Sequence, residues 1–139
     1  MNKNSNHNRL LAHVLGVSLS DVWLGWELSS DQQARFDVLN ARLLQGEPID
    51  YVVGEVPFGK AMIRVDRRAL IPRVETELLL DIIAKKRGAR RVVWDLCTGS
   101  GCIGIALKLS HIDLCVTISD ICPEALSLAK ENVDRHGVA

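Results

Sequence analysis

Val92-Val93-Trp94-Asp95-Leu96-Cys97-Thr98-Gly99-Ser100-Gly101-Cys102-Ile103-Gly104 runs from an apolar strand pattern through a glycine-rich turn into a helix start. Val92, Val93 and Leu96 suit a strand covered on both faces. Gly99 and Gly101 permit a tight turn and let a ligand approach the backbone closely. A helix from Cys102 to about Leu109 would aim free N–H groups and its positive dipole end at that turn. The pattern therefore predicts a nucleotide-like ligand at the strand's carboxyl end.

Two ligand classes fit the glycines alone. Gly99-Ser100-Gly101-Cys102-Ile103-Gly104 satisfies G-x-G-x-x-G, and Asp120 stands at the end of the next apolar run. It lies about 20 residues on, where a dinucleotide site places the acid that takes the ribose hydroxyls. The other class is S-adenosylmethionine, held by a similar turn together with an acid on the first strand. Asp95 is such an acid. A carboxylate in an apolar strand is costly unless its charge has a use. A cationic, amine-bearing cofactor uses it, whereas a pyrophosphate is repelled, so the sulfonium cofactor is favoured.

Downstream, Leu114 to Ile118 forms a second strand ending at Ser119-Asp120. Pro123 suits a first helical position, Ala125, Ala129 and Val133 line one helix face, and Gly137 is a stop. Upstream, Pro72 holds Ile71 extended. Glu75, Thr76 and Glu77 suit the first turn of a helix with a buried stripe of Leu78, Leu79, Ile82 and Ile83, closed by Lys85, Lys86, Arg87 and Gly88. The second half thus reads helix, strand, helix, strand, helix, with a parallel βαβ unit at its centre. Arg73 and Glu75 at the first helix's mouth suit either a salt bridge or the cofactor site.

Before it, Ala61 to Val65 alternates as a strand, Val56-Pro57-Phe58-Gly59 is a breaker and Asp66-Arg67-Arg68 a turn. Arg64, Arg67 and Arg68 read as a solvated face. Residues 1–7 are expected to fray. Leu10, Leu11, Val14 and Leu15 form a helical stripe ending at Gly16. Ser18 or Ser20 is placed to cap a short helix bearing Val22, Trp23 and Trp26, with the tryptophans as core anchors. Ser30 and Gln33 match a capping box for a helix to about Gln45, with Phe36, Leu39 and Leu43 on one face, helped by Val38 and Leu44. Pro48 to Val53 adds a helical turn closed by Gly54. Short helices at this spacing make a small module, either a structural cap or a docking surface.

The 139 residues suffice for one ordinary domain or two small ones, and 47% hydrophobic residues can build a core. Lys plus Arg and Asp plus Glu are both 17, so overall charge makes no case for nucleic-acid binding. No apolar run approaches the roughly 18 residues of a membrane span, and the N-terminus has no signal-peptide core. No membrane partner and a cytoplasmic setting are expected. Cys97, Cys102, Cys115 and Cys122 fit no zinc spacing, and the four histidines are scattered, so no metal site is expected.

Leu70-Ile71-Pro72-Arg73-Val74-Glu75-Thr76-Glu77, Gln45-Gly46-Glu47-Pro48-Ile49, Asp95-Leu-Cys-Thr-Gly-Ser-Gly-Cys-Ile and Asp120-Ile-Cys-Pro123-Glu124-Ala125 are together far more specific than the glycine turn. On these segments the chain, from about Asn8 to Ala139, resembles the HemK/PrmC family, protein-(glutamine-N5) methyltransferases that modify the GGQ motif of peptide chain release factors. The resemblance implies an α/β architecture. A small helical bundle (1–53) helps hold the release factor, a β-hairpin linker (54–72) follows, and 73–139 is the first part of a Rossmann-like class I S-adenosylmethionine-dependent methyltransferase domain, truncated here. It implies that Cys97, Thr98, Gly99, Ser100 and Gly101 wrap the methionine and ribose of S-adenosylmethionine. Asp120 takes the ribose hydroxyls, Asp95 lies under the amino-acid end and Arg73 borders the pocket.

The chain departs from the family's pattern in ways that matter. Cys97 stands where the family usually has glycine, which is costly if the backbone angle there is positive. Val74 replaces a residue that is often proline, without evident consequence. The family's Asn-Pro-Pro-Tyr signature is not found, since Pro48, Pro57, Pro72 and Pro123 follow Glu, Val, Ile and Cys. That loop holds the poorly nucleophilic glutamine amide and aims its nitrogen at the methyl, which is orientation rather than acid–base work. The expectation is an N-terminal portion of the enzyme, without catalytic residues of its own and inactive alone. A non-catalytic docking module with a vestigial cofactor fold is the alternative. Part of an NAD-dependent oxidoreductase is the third reading, opposed by Asp95 and the Ile-Pro-Arg segment.

Overall fold

The computed structural model describes residues 3–138 and divides the chain into two compact units, one ending at Val53 and the other beginning at Gly54. In the first unit, α1 spans Lys3–Leu15, a 3-10 turn Asp21–Leu24, α2 Ser30–Leu44 and α3 Ile49–Val53. Residues 3–7, expected to fray, belong to α1, and residues 1–2 lie outside the described residues. The core is Leu10, Val14, Phe36, Ile49 and Val52, with Leu11, Leu28, Leu39, Leu43 and Val53 packed around it. Burying each such aliphatic or aromatic side chain stabilises by about 1.5–3 kcal/mol. Arg9 bonds Asp50 at 2.6 Å, tying α1 to α3. Arg42 reaches Glu47 at 2.7 Å and the Tyr51 carbonyl at 3.2 Å, tying α2 to α3.

Several local expectations shift. The capping box sits one residue earlier, with Ser29 accepting from the Gln32 N–H and the Gln32 side chain accepting from the Ser29 N–H. Two adjacent serines made the register ambiguous. Trp23 and Trp26 are not core anchors, being 78% and 48% exposed. Only Val22 of that segment is buried, Trp26 lies past the 3-10 turn, and its indole donates to the Asp21 carbonyl at 2.7 Å. Neither Ser18 nor Ser20 caps the turn; the Ser18 hydroxyl bonds the Asp21 carboxylate instead. Val38 and Leu44 also face solvent.

The second unit opens with an antiparallel hairpin, β1 Glu55–Phe58 and β2 Ala61–Arg64, in the register Phe58 opposite Ala61 and Glu55 opposite Arg64. The Val56-Pro57-Phe58 segment, read as a breaker, is therefore a strand, with Pro57 on its exposed face. Alternation buries Val56, Phe58, Ala61 and Ile63. A Cβ on Gly59 in the turn would come within 2.9 Å of Leu80, and its φ of +55° suits glycine. A 3-10 turn at Val74–Glu77 leads into α4, Leu78–Lys86. Then come β3 Val92–Leu96, α5 Cys102–Ser110, β4 Cys115–Ser119 and α6 Pro123–His136. β3 and β4 pair in parallel, with Asp95 opposite Ile118 and Leu96 opposite Ser119. β2 packs against α5 and α6, so the hairpin is part of this unit's core along with Ile105, Ala106, Leu107, Leu128 and Ala129.

Here too the expected burial differs. β3 is covered on one face only: Asp95 is buried, while Val92, Trp94 and Leu96 are 59%, 67% and 66% exposed. On α4, Leu78, Leu79 and Ile82 are exposed as well. A run of apolar residues predicts an element and its apolar face but not what lies against that face. Arg68 is not a solvated residue. It grips Asp66 at 2.7 Å and Glu131 of α6 at 2.6 Å, and Arg64 joins Glu131 at 3.2 Å.

Candidate functional site

The turn between β3 and α5 is built by side chains that satisfy its backbone. Asp95, the last residue but one of β3, faces inward. Its Oδ2 accepts the Thr98 hydroxyl at 2.7 Å and the Gly104 N–H at 3.0 Å. Gly104 has to be glycine, because a Cβ there would lie 2.8 Å from Ile118 and 3.2 Å from Asp95 Oδ2. The third glycine of the motif thus lets α5 lie close on the sheet while its N–H reaches the carboxylate. The Thr98 N–H bonds the Ser119 carbonyl at 2.9 Å, and the Thr98 carbonyl accepts from Gly101 at 3.0 Å, closing the turn.

Asp120, just beyond β4, reaches back across the strand ends. Its Oδ2 accepts the Gly99 N–H at 2.8 Å and its Oδ1 the Cys122 N–H at 3.0 Å. Donation from Cys122 and Gly99 holds the Asp120 carboxyl below the usual carboxylate range, so it is ionised at neutral pH. Gly99 and Gly101 have φ of +56° and +82°, and Gly101 caps α5. Cys97 has φ +60° and an exposed side chain, so the positive angle anticipated for this position is present. Burial pushes the Cys102 thiol up, which keeps it protonated.

Cys97, Thr98, Gly99, Ser100, Gly101, Asp95 and Asp120 thus form one cluster. Arg73 does not join it: the residue is exposed, and its side chain makes no hydrogen bond or ion pair with a described residue. No ion pair links it to Glu75. A Cβ added at Gly99 would lie 3.8 Å from the Ala69 Cβ. Asn132, on the buried face of α6, was not singled out in the sequence, yet it bonds the Ser100 carbonyl at 2.9 Å. Its signal was a polar residue in register with Ala125, Leu128 and Ala129. No cluster of three His, Cys, Asp or Glu suitable for a metal exists among the described residues.

The donor set suits a cation better than a phosphate. The Gly99 and Gly104 N–H groups, which would cradle an anion, are both taken by carboxylates, and among the described residues no Lys or Arg bonds to either one. A carboxylate has about four lone-pair sites. Asp120 uses two on the backbone, and Asp95 receives its bonds on Oδ2 alone. Both keep acceptor capacity.

Residues 6–54 match the PrmC N-terminal domain, and residues 74–139 match the methyltransferase small domain. A release factor glutamine methyltransferase of Chlorobaculum tepidum is 37% identical over 139 residues, covering 94% of this chain and 47% of that protein. One from Deinococcus radiodurans is 38% identical over 134 residues, with 93% and 48% covered. One from Bacteroides thetaiotaomicron is 39% identical over 121 residues, with 86% and 44% covered. The chain belongs to the HemK/PrmC family. It spans about half the length of the curated relatives it matches. The segments that carried the resemblance are places where this family's sequence meets local geometry. Gly46 ends α2 at φ +87°, Glu47 takes Arg42, and Ile49 is 2% exposed. Pro123 opens α6, and Ala125 is buried against the core. Among the described residues no helix is long and apolar enough to cross a membrane.

Proposed function

We propose that this chain carries the docking unit and the cofactor half of a methyltransferase that transfers a methyl group from S-adenosylmethionine to the glutamine side chain of the GGQ motif in a peptide chain release factor. The observation that carries the reading is the Asp120 carboxylate bonded to the Gly99 N–H at 2.8 Å, beside a turn whose other acid is Asp95. Cofactor and turn are matched in charge: a sulfonium and an α-amine meet two carboxylates, whereas a dinucleotide pyrophosphate would meet repulsion and occupied donors. In this reading Asp120 takes the ribose hydroxyls with its remaining lone pairs, Asp95 faces the amino-acid end, and Cys97 to Gly101 enclose the cofactor. The family resemblance adds Arg73 at the pocket's border, although its side chain makes no bond to the turn.

When bound, the cofactor supplies an electrophilic methyl on sulfur. The chain's own residues bind and orient it. No Asn-Pro-Pro-Tyr occurs here, so the clamp that would align a glutamine nitrogen is not supplied by this sequence. The chain alone is therefore expected to bind cofactor weakly and to transfer no methyl group. The names of the relatives point to a release factor as substrate, and the first unit, with Trp23 and Leu24 exposed, offers it a surface. A cytoplasmic enzyme acting in translation termination follows from that substrate.

Calorimetry tests the site directly. S-adenosylmethionine or S-adenosylhomocysteine should bind the chain, and Asp120→Ala should weaken binding at least about tenfold, roughly 1.4 kcal/mol. Equal binding before and after the change removes Asp120 from the site, and preferential binding of NADH overturns the cofactor assignment. A labelled-methyl assay with a release factor should show no turnover by this chain, and measurable transfer would refute its dependence on the Asn-Pro-Pro-Tyr loop.

A further inference from the structure

We infer that Asn132 is a positioning residue for the cofactor turn: its carboxamide locks the Ser100–Gly101 peptide and the end of the hairpin to helix α6 in one three-way junction. The inference rests on the S-adenosylmethionine reading of the turn. Asn132 is 0% exposed, on a helix face otherwise made by Ala125, Leu128 and Ala129. An amide so placed is destabilising unless every polar atom is paired. All are. Oδ1 accepts the Arg64 N–H at 2.8 Å, and Nδ2 donates to the Arg64 carbonyl at 3.0 Å and to the Ser100 carbonyl at 2.9 Å. These partners fix the amide's orientation, since only the oxygen can accept an N–H and only the nitrogen can serve two carbonyls. Toward β2 the side chain acts as a neighbouring strand's peptide would, on the edge of Arg64 that β1 does not use.

The bond to Ser100 bears on function. Gly101 is left-handed, with φ +82° and ψ +7°, and glycine tolerates either sign of φ. Without a partner on the Ser100 carbonyl, the Ser100–Gly101 peptide would be held by one hydrogen bond instead of two. Its other end is the Gly101 N–H, which closes the turn on Thr98. Asn132 therefore selects one peptide orientation and holds the turn in the shape that presents Gly99 beside Asp120. Glu131, the preceding residue, ties the same helix to the hairpin through Arg64 and to the loop after it through Arg68, but at the surface. It provides a control matched in position.

The test uses Asn132→Asp, which keeps the shape and the acceptor for Arg64 but removes both donors, beside Glu131→Gln. S-adenosylhomocysteine affinity is measured by calorimetry well below each variant's melting temperature, together with amide hydrogen exchange at Gly99 and Gly101. Asn132→Asp should weaken binding at least tenfold and speed exchange at both glycines at least tenfold. Glu131→Gln should lower the melting temperature yet leave both readouts within twofold of the parent. Should Asn132→Asp fail to fold, the parent decides: its Asn132 Nδ2 proton signals should shift as S-adenosylhomocysteine saturates the site. Binding and exchange unchanged in Asn132→Asp, or Nδ2 signals unmoved at saturation, overturn the inference alone. No binding by the parent overturns the reading of the turn and this inference with it.

Discussion

Cys97 is the one residue other than glycine with positive φ among the described residues, and it stands at the start of the glycine turn after β3. A left-handed conformation costs a residue bearing a Cβ about 1–2 kcal/mol. Glycine would remove that strain but add about 0.4–1 kcal/mol of unfolded-state entropy. Cys97→Gly should therefore raise stability by a net amount of about 0.5–1 kcal/mol, read as a higher urea midpoint at unchanged slope. Loss of stability would mean that the thiol makes compensating contacts. Asp95 presents a different choice, between holding the turn and binding the cofactor. Asp95→Asn keeps an oxygen acceptor for Thr98 and Gly104, removes the charge and turns the other oxygen into an amide donor. The melting temperature should fall modestly, while affinity for the cationic cofactor falls about tenfold, roughly 1.4 kcal/mol. A large loss of stability with affinity preserved would assign Asp95 to the fold alone.

At the scale of elements, the Asp66–Arg68–Glu131 cluster pins the loop after β2 to α6. Hydrogen bonds from Arg68 are the largest cause holding both the Asp66 and Glu131 carboxyls below their ordinary values of 3.8 and 4.5. A depressed carboxylate stabilises the folded state above its unfolded pKa, and that contribution disappears as pH falls through its folded value. Arg68→Met should thus melt a few degrees lower than the parent from neutral pH down to about pH 5, and the gap should close below about pH 4. Thermal scans across that range check it; a gap that widens in acid contradicts the assignment. This cluster also shows what the sequence conveyed and what it did not. Strand, turn and helix positions around Asp95 and Asp120 were legible because their signals are local: glycine at positive φ, proline at a helix start, apolar alternation. Arg68, Asn132 and the exposed Trp23 were not, because their environments depend on elements distant in the chain. Arg68 and Asn132 meet partners 63 and 68 residues away. The glycine turn was readable as a candidate site, but only the structure shows that the Gly99 and Gly104 N–H groups are already taken by the two carboxylates.

Taken whole, the second unit presents a sheet with one uncovered face. Among the described residues β3 and β4 form a two-stranded parallel sheet in which each strand keeps one open edge, and β3 turns Val92, Trp94 and Leu96 outward, each more than half exposed. Large apolar side chains at alternate positions along an edge strand form a contiguous strip, and unpaired N–H and C=O groups beside them offer a template for another chain. Net charge is zero, so no long-range repulsion opposes approach. The chain should therefore associate in a concentration-dependent manner at micromolar levels, seen by sedimentation velocity. Trp94→Lys places a charge on the strip without touching the core, because Trp94 is 67% exposed. It should shift the distribution toward monomer and change stability by no more than about 0.5 kcal/mol. The same substitution leaves the buried face of β3, where Asp95 meets Gly104 and Thr98, unaltered. Cofactor affinity per chain should then be retained as association is lost. A parent that stays monomeric, or a Trp94→Lys variant that associates as strongly, would show that this strip does not drive contact between chains.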